Sequence, residues 1–214
     1  MHNPLLRLIQ LSDSAFPIGA YSHSFGFEAL IERGAIANYD DALSAITGVL
    51  QMSTAPQDGV ACALAHGADS EMLARVDEIL TAMKWPREIH DASVQLGERL
   101  KRIAVELGWC EEFPPVSHHS VVFGFLCAHL GLTQREAVST FLLTSVTTLA
   151  SACVRLVPLG HTDGQRIISQ SNAIISPLVP KCLEAGIDDI AAFAPVHEQA
   201  CVEHESLYAR IFQS

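Results

Sequence analysis

The chain has 214 residues, 49% hydrophobic and 17% charged, with a formal net charge of -11. Such a balance is too apolar for a disordered chain and too often broken by polar residues for a membrane protein, and the length buries a sizeable core without disulfides or structural metal. Only 13 Lys and Arg are spread along it, so the clustered basic surface that nucleic-acid binding needs is missing and no nucleic acid is expected.

Met1 to Leu11 lacks the basic start, long apolar run and small-residue cleavage site of a secretory signal, which points to a cytoplasmic protein. The six cysteines (Cys62, Cys110, Cys127, Cys153, Cys182, Cys201) form no C-x-x-C pair. They read as small buried hydrophobes in a reducing compartment, not as a disulfide framework or zinc knuckle. Sustained period-2 alternation and hairpin turns are absent, while helical spacing recurs from end to end, so the chain is expected to be all-α. One domain over residues 1–214, a bundle of roughly eight to ten helices around a buried central hairpin, is the simplest organisation.

In chain order, the first helix is expected from Pro4 to Leu11. The second runs from a cap at Ser22 or Ser24 to Arg33 with Gly34 after it, the third from Asp40 to Met52, and another lies around Glu71 to Met83. After Pro86 a strongly amphipathic helix carries Ile89, Ser93, Leu96, Leu100, Ile103 and Leu107 on one stripe. Arg87, Glu88, Glu98, Arg99, Lys101 and Arg102 lie elsewhere on it, and Gly108 is the stop. The central hairpin is Ser117 to Leu130 and Thr133 to Leu156. From Ala137 to Val154 there is no Asp, Glu, Lys or Arg. Its Ser139, Thr140, Thr144, Ser145, Thr147, Thr148 and Ser151 make the run too polar for lipid, so a buried helix and no membrane are expected. Thr162 or Asp163 caps the next helix, which Pro177 and Pro180 should bend or end near Ser176. Short helical turns follow at Lys181–Ala185 and Asp188–Phe193, and a last helix after Pro195 should reach Phe212.

Few constellations carry chemistry. Ser22-His23-Ser24-Phe25-Gly26 is like part of a nucleophile elbow with Ser24 as nucleophile, but no strand precedes it and helix capping is the simpler role. His197, Cys201 and His204 fall at i, i+4 and i+7, one helix face that suits Zn²⁺ or Ni²⁺, with no fourth ligand nearby in sequence. His118 and His119 are adjacent and point about 100° apart on a helix, a poor chelate. Neither a catalytic residue nor a cofactor is assigned. Phe16-Pro17-Ile18-Gly19-Ala20-Tyr21 and Pro158-Leu159-Gly160-His161-Thr162-Asp163-Gly164-Gln165 are tight loops. Arg155, isolated in an uncharged helix, must find helix-end carbonyls or a carboxylate.

These residues carry a resemblance. The stretch from Leu5 to Glu28, Val122-Phe123-Gly124, Ser151 to Gly160 with Asp163-Gly164-Gln165, and His204 to Ser214 together resemble the urease accessory protein UreF family, in order and from end to end. Phe27, His161 and Gln213 depart from its usual Leu, Gln and basic residue. The resemblance implies a non-catalytic protein that dimerises through its helices, binds the UreD (UreH) accessory protein, recruits and modulates the GTPase UreG, and so helps nickel reach the urease apoprotein. By position it places the partner-facing surface at Tyr21, Ser22, Glu28, Arg155, Gly160 and Gln165. It also implies a partner-binding C-terminal helix or tail, about 196–214, with His204, Tyr208, Arg210 and Phe212. Leu207, Tyr208, Ile211 and Phe212 would give that segment an apolar face ordered by docking. Direct nickel carriage by His197, Cys201 and His204 is the alternative.

Overall fold

Local capping sets most helix starts. Helix α1 (Pro4–Ser12) begins where the Asn3 side chain accepts the Leu5 N–H and Pro4 occupies a position whose own N–H would be unpaired. The computed structural model describes residues 3–214, and over these it is built of ten α-helices, a π-helical segment and two short 3₁₀ turns, with no strand among the described residues. Helix α2 (Phe27–Glu32) is short, whereas α3 (Tyr39–Val49), capped by Asn38, passes without a break through the π segment Leu50–Gly59 into α4 (Val60–Ala65).

The helix expected to stop at Met52 therefore continues, and Pro56 explains how. Proline has no N–H, so the preceding turn is short of one helical donor, and the Met52 carbonyl bonds outside the helix. It accepts the Phe193 N–H at 2.8 Å, and the Pro56 carbonyl accepts Ala191 N–H at 3.1 Å. A distant loop supplies the bonds that the helix forgoes.

Asp69 caps α5 (Ser70–Met83), and α6 (Arg87–Glu106) follows Pro86. Its stripe is buried at Ser93, Leu96, Leu100 and Ile103 as expected, but Leu107 is exposed and Glu88, expected outside, is buried. The central hairpin is α7 (His119–His129) and α8 (Gln134–Leu156), the second opened by a reciprocal Thr133–Glu136 capping box. Helix α7 packs on α4 and α6, and α9 (His161–Glu184) lies along α8. Helix α8 is long and apolar enough to cross a membrane by composition, yet half of its most apolar window is buried inside the fold.

Pro177 and Pro180 do not end α9, which runs on to Glu184. The carbonyls they deprive belong to Ala173 and Ser176, both exposed, where water can replace the lost bonds. The last helix, α10 (Pro195–His204), is shorter than expected: it stops at His204 and the chain turns back. All six cysteines are free and buried.

Two glycines let backbones meet. A Cβ at Gly124 of α7 would collide with the Cys62 carbonyl of α4, and one at Gly97 of α6 with the Ser117 carbonyl. Gly124→Ala and Gly97→Ala should each cost about 1–3 kcal/mol of stability, read as a lower urea midpoint. Gly48→Ala in α3, where the added methyl meets nothing within 4 Å, should instead raise the midpoint by about 0.5–1 kcal/mol.

Candidate functional site

The two ends of the sequence meet. Between the 3₁₀ turn Ala20–Ser22 and α2, Phe25 takes φ 49°, and Gly26 follows at φ 80°. A positive φ in Phe is uncommon and persists only where surrounding contacts enforce it. Here they do: the N–H groups of Ser24 and Phe25 both donate to the Ser214 main-chain oxygen, at 2.5 and 2.9 Å. The Ser24 hydroxyl donates to the same oxygen at 2.9 Å, His23 Nδ1 lies 2.8 Å from the Ser214 hydroxyl, and Gln213 N–H donates to the Ser22 carbonyl at 2.8 Å. Gly26 also admits α10, since a Cβ there would stand 2.6 Å from Cys201 Sγ.

Glu28 and Glu88 hold the rest of the tail. Glu28, 6% exposed on the first turn of α2, accepts N–H bonds from Ile211 at 2.7 Å and Phe212 at 3.0 Å. His204, fully buried, sits between the two carboxylates, its Nε2 3.0 Å from Glu28 and its Nδ1 2.6 Å from Glu88. Arg210 donates to the other Glu88 oxygen at 2.7 Å. Burial alone would raise the Glu28 carboxyl, but the Ile211, His204 and Phe212 hydrogen bonds outweigh it and hold the group below its ordinary range. Arg155 donates to the Tyr21 carbonyl and lies 4.3 Å over the Phe212 ring. Its acceptor is thus a helix-end carbonyl, one of the two kinds anticipated.

Of the residues singled out in the sequence, Tyr21, Ser22, Glu28, Arg155, His204, Arg210 and Phe212 are brought together here. Tyr208 belongs to the same segment but projects free, fully exposed, beside exposed Ile211. Gly160 and Gln165 are not tied into the cluster: Gly160 precedes α9 and donates to Asp163, and Gln165 is exposed on its first turns. Ser24 does bond to α2, accepting the Glu28 N–H at 3.3 Å, but Gly26 takes the cap position and the hydroxyl is committed to Ser214. Glu88, Ser214 and His23 escaped the sequence reading. The one available signal was at Glu88, which lies four and eight residues before Ala92 and Leu96 on the buried side of α6.

The helix face with His197, Cys201 and His204 is not a ligand set. His197 Nε2 donates to the Phe25 carbonyl at 2.8 Å, Cys201 Sγ lies 3.7 Å from that nitrogen, and both His204 nitrogens are engaged by carboxylates. Burial pushes the Cys201 thiol up and His197 down to about 4. Among the described residues no group of three or more His, Cys, Asp or Glu is arranged to hold a metal ion. His118 bonds Ser93 and Thr81, apart from His119. A cavity of about 180 Å³ lies next to the site, its lining including Asp58, Lys84, His119, Thr148 and His197.

The sequence model of the UreF family matches residues 36–172, more than half of the chain. The chain belongs to the UreF family. It is 32% identical to the urease accessory protein UreF of Bacillus sp. strain TB-90, over 99% of this chain and all of that one. It is 33% identical to that of Arthrobacter sp. strain FB24, over 98% and 96% of the two chains, and 31% identical to that of Lachnoclostridium phytofermentans over the full length of both. The UreF family consists of urease accessory proteins and not of catalysts, so the absence of an assigned nucleophile needs no further explanation. In this UreF-family chain the matched profile begins after α2, so the N-terminal turn and the tail lie outside it, and they are the parts that the joined ends bring together.

Burial also pushes His23, His118 and His119 down to about 4. A folded-state value below the ordinary 6.5 means that the unfolded chain takes up protons first, so the stability these histidines contribute is full above pH 6.5 and is lost as pH falls toward 4. The urea midpoint should drop steadily across that window, with NMR showing these three imidazoles and His197 still neutral at about pH 5.5 in the folded protein.

Proposed function

We propose that the chain is a cytoplasmic scaffold for nickel insertion into the urease apoprotein, dimerising, binding UreD (UreH), and recruiting and modulating the GTPase UreG. Residues 196–214 form its partner-binding segment within a single domain. The observation that carries the reading is the presentation of Tyr21 on the N-terminal turn and of Tyr208 and Ile211, with Arg210 between these two in sequence, on a tail clamped to the body of the protein, all three strongly exposed. Tyr and Arg are the residue types that dominate binding hot spots, and a segment already held in shape loses less entropy on docking than one that must fold. This differs from a tail that orders only on its partner.

Two further surfaces fit an assembly with several members. Helix α1 exposes Leu5, Leu6 and Ile9 at 56, 63 and 56%, and α8 leaves an uncharged strip through Thr140, Thr144, Thr147 and Ser151 only partly covered. Uncharged, half-covered faces suit contact with a second chain. Six unpaired cysteines fit a reducing compartment.

Tyr208 is the cleanest probe, because it is fully exposed and its side chain has no hydrogen bond to any of the described residues. Tyr208→Ala should leave helix content and urea midpoint unchanged and weaken co-purification with UreD and UreG by about thirtyfold, some 2 kcal/mol. Undiminished capture would remove the tail from the interface. Tight stoichiometric Ni²⁺ binding by the isolated chain, measured by calorimetry, would favour direct carriage instead.

A further inference from the structure

We propose that Glu28, His204 and Glu88 form a proton-operated clasp that sets whether Ile211 and Phe212 stay bonded to Glu28 beside the N-terminal turn. Both carboxylates are acceptors when ionised, and each faces a different nitrogen of one imidazole ring at 3.0 and 2.6 Å. Two such contacts are satisfied together only when two protons are shared between the ring and its carboxylates. The ring is fully buried, so water cannot step in when one proton leaves.

The remaining groups around the ring do not supply a substitute donor. Arg210 from the tail is occupied with Glu88, and Cys201 from the same helix is a neutral thiol. Farther out, Arg87 pairs with Glu205 at 2.9 Å and Arg155 of α8 covers Phe212. Removing a proton therefore leaves a nitrogen lone pair against a carboxylate oxygen. The shorter contact, to Glu88, keeps its N–H, and the exposed lone pair then faces Glu28 Oε2.

That oxygen also accepts the Phe212 N–H, and its partner oxygen accepts the Ile211 N–H. A Glu28 carboxylate that turns from the bare nitrogen lets go of both amides. Arg210 remains on Glu88, and Gln213 and Ser214 keep their bonds to Ser22, His23, Ser24 and Phe25, so the part that loosens is Ile211–Phe212, between two fixed ends and beneath Arg155. The closed form holds the extra proton, so by linkage opening is favoured as pH rises. The clasp is a property of the isolated chain and does not depend on which partner docks.

The test uses the intact chain without partners. The His204 ring is followed by NMR from pH 5 to 10 while amide exchange at Ile211, Phe212 and buried Val146 is recorded, each normalised for the intrinsic pH dependence of exchange. Loss of the ring proton should coincide with a fall of at least tenfold in protection at Ile211 and Phe212, with Val146 unchanged. Glu88→Gln, which removes one of the two charges facing the ring, should move both events to lower pH together. A ring that keeps its proton throughout, or protection at Ile211 and Phe212 that ignores its loss, would overturn the proposal and leave a fixed ion-pair network, whether or not the Glu88 variant folds.

Discussion

A buried carboxylate must be surrounded by donors, and at Glu28 every one of them comes from the far end of the chain. Ile211 and Phe212 give backbone N–H groups and His204 gives a ring nitrogen. The start of α2 adds the positive end of its dipole, a small contribution over one turn. Beyond α10 the tail buries one hydrophobic side chain fully, Phe212, with Leu207 partly buried, so hydrogen bonds to charge, each worth roughly 1.5–3 kcal/mol, do much to fix its path. Leaving Glu28 without them would cost more than their mean value suggests, because a charge would remain where water has no access.

Arg155 meets the same surface from another direction. It is the one cation in the second half of α8, and its guanidinium serves two purposes at once: a bond to the Tyr21 carbonyl and a cover for the Phe212 ring. Lysine would keep the charge but not the planar face that stacks on an aromatic ring. The central hairpin thus joins the N-terminal turn and the tail into one patch, and Tyr208 is free to project because its neighbours are not.

The helices were largely legible in the sequence because their causes are local. A gap in charge marked α8, an apolar stripe with Pro86 before it and Gly108 after it marked α6, and the need of an isolated arginine for a carbonyl or carboxylate acceptor was evident at Arg155. Three of the failures share one cause, a bond partner far away in sequence. Pro56 reads as a breaker unless Phe193 is known to take up the Met52 carbonyl. Glu88 reads as a surface charge unless His204 and Arg210 are known to face it, and Ile211 and Phe212 read as further turns of α10 unless Glu28 is known to capture their amides. The prolines of α9 misled for the opposite reason, since the Ala173 and Ser176 carbonyls they deprive belong to exposed residues, open to solvent.

The position of α10 decides whether His204 reaches both carboxylates, and it is fixed from both sides. Before the helix, the loop at Ala191 and Phe193 is pinned to the Pro56 and Met52 carbonyls of the π segment. Along it, Gly26 lets the helix backbone at Cys201 approach the N-terminal turn more closely than any side chain would permit, and His197 bonds the Phe25 carbonyl. A π segment of ten residues is an uncommon and costly piece of backbone. Its place here follows from the Met52 and Pro56 carbonyls, which it leaves to the loop at Phe193 and Ala191. Through the loop they hold, an irregularity between α3 and α4 sets the geometry of a carboxylate–imidazole contact at the opposite end of α10.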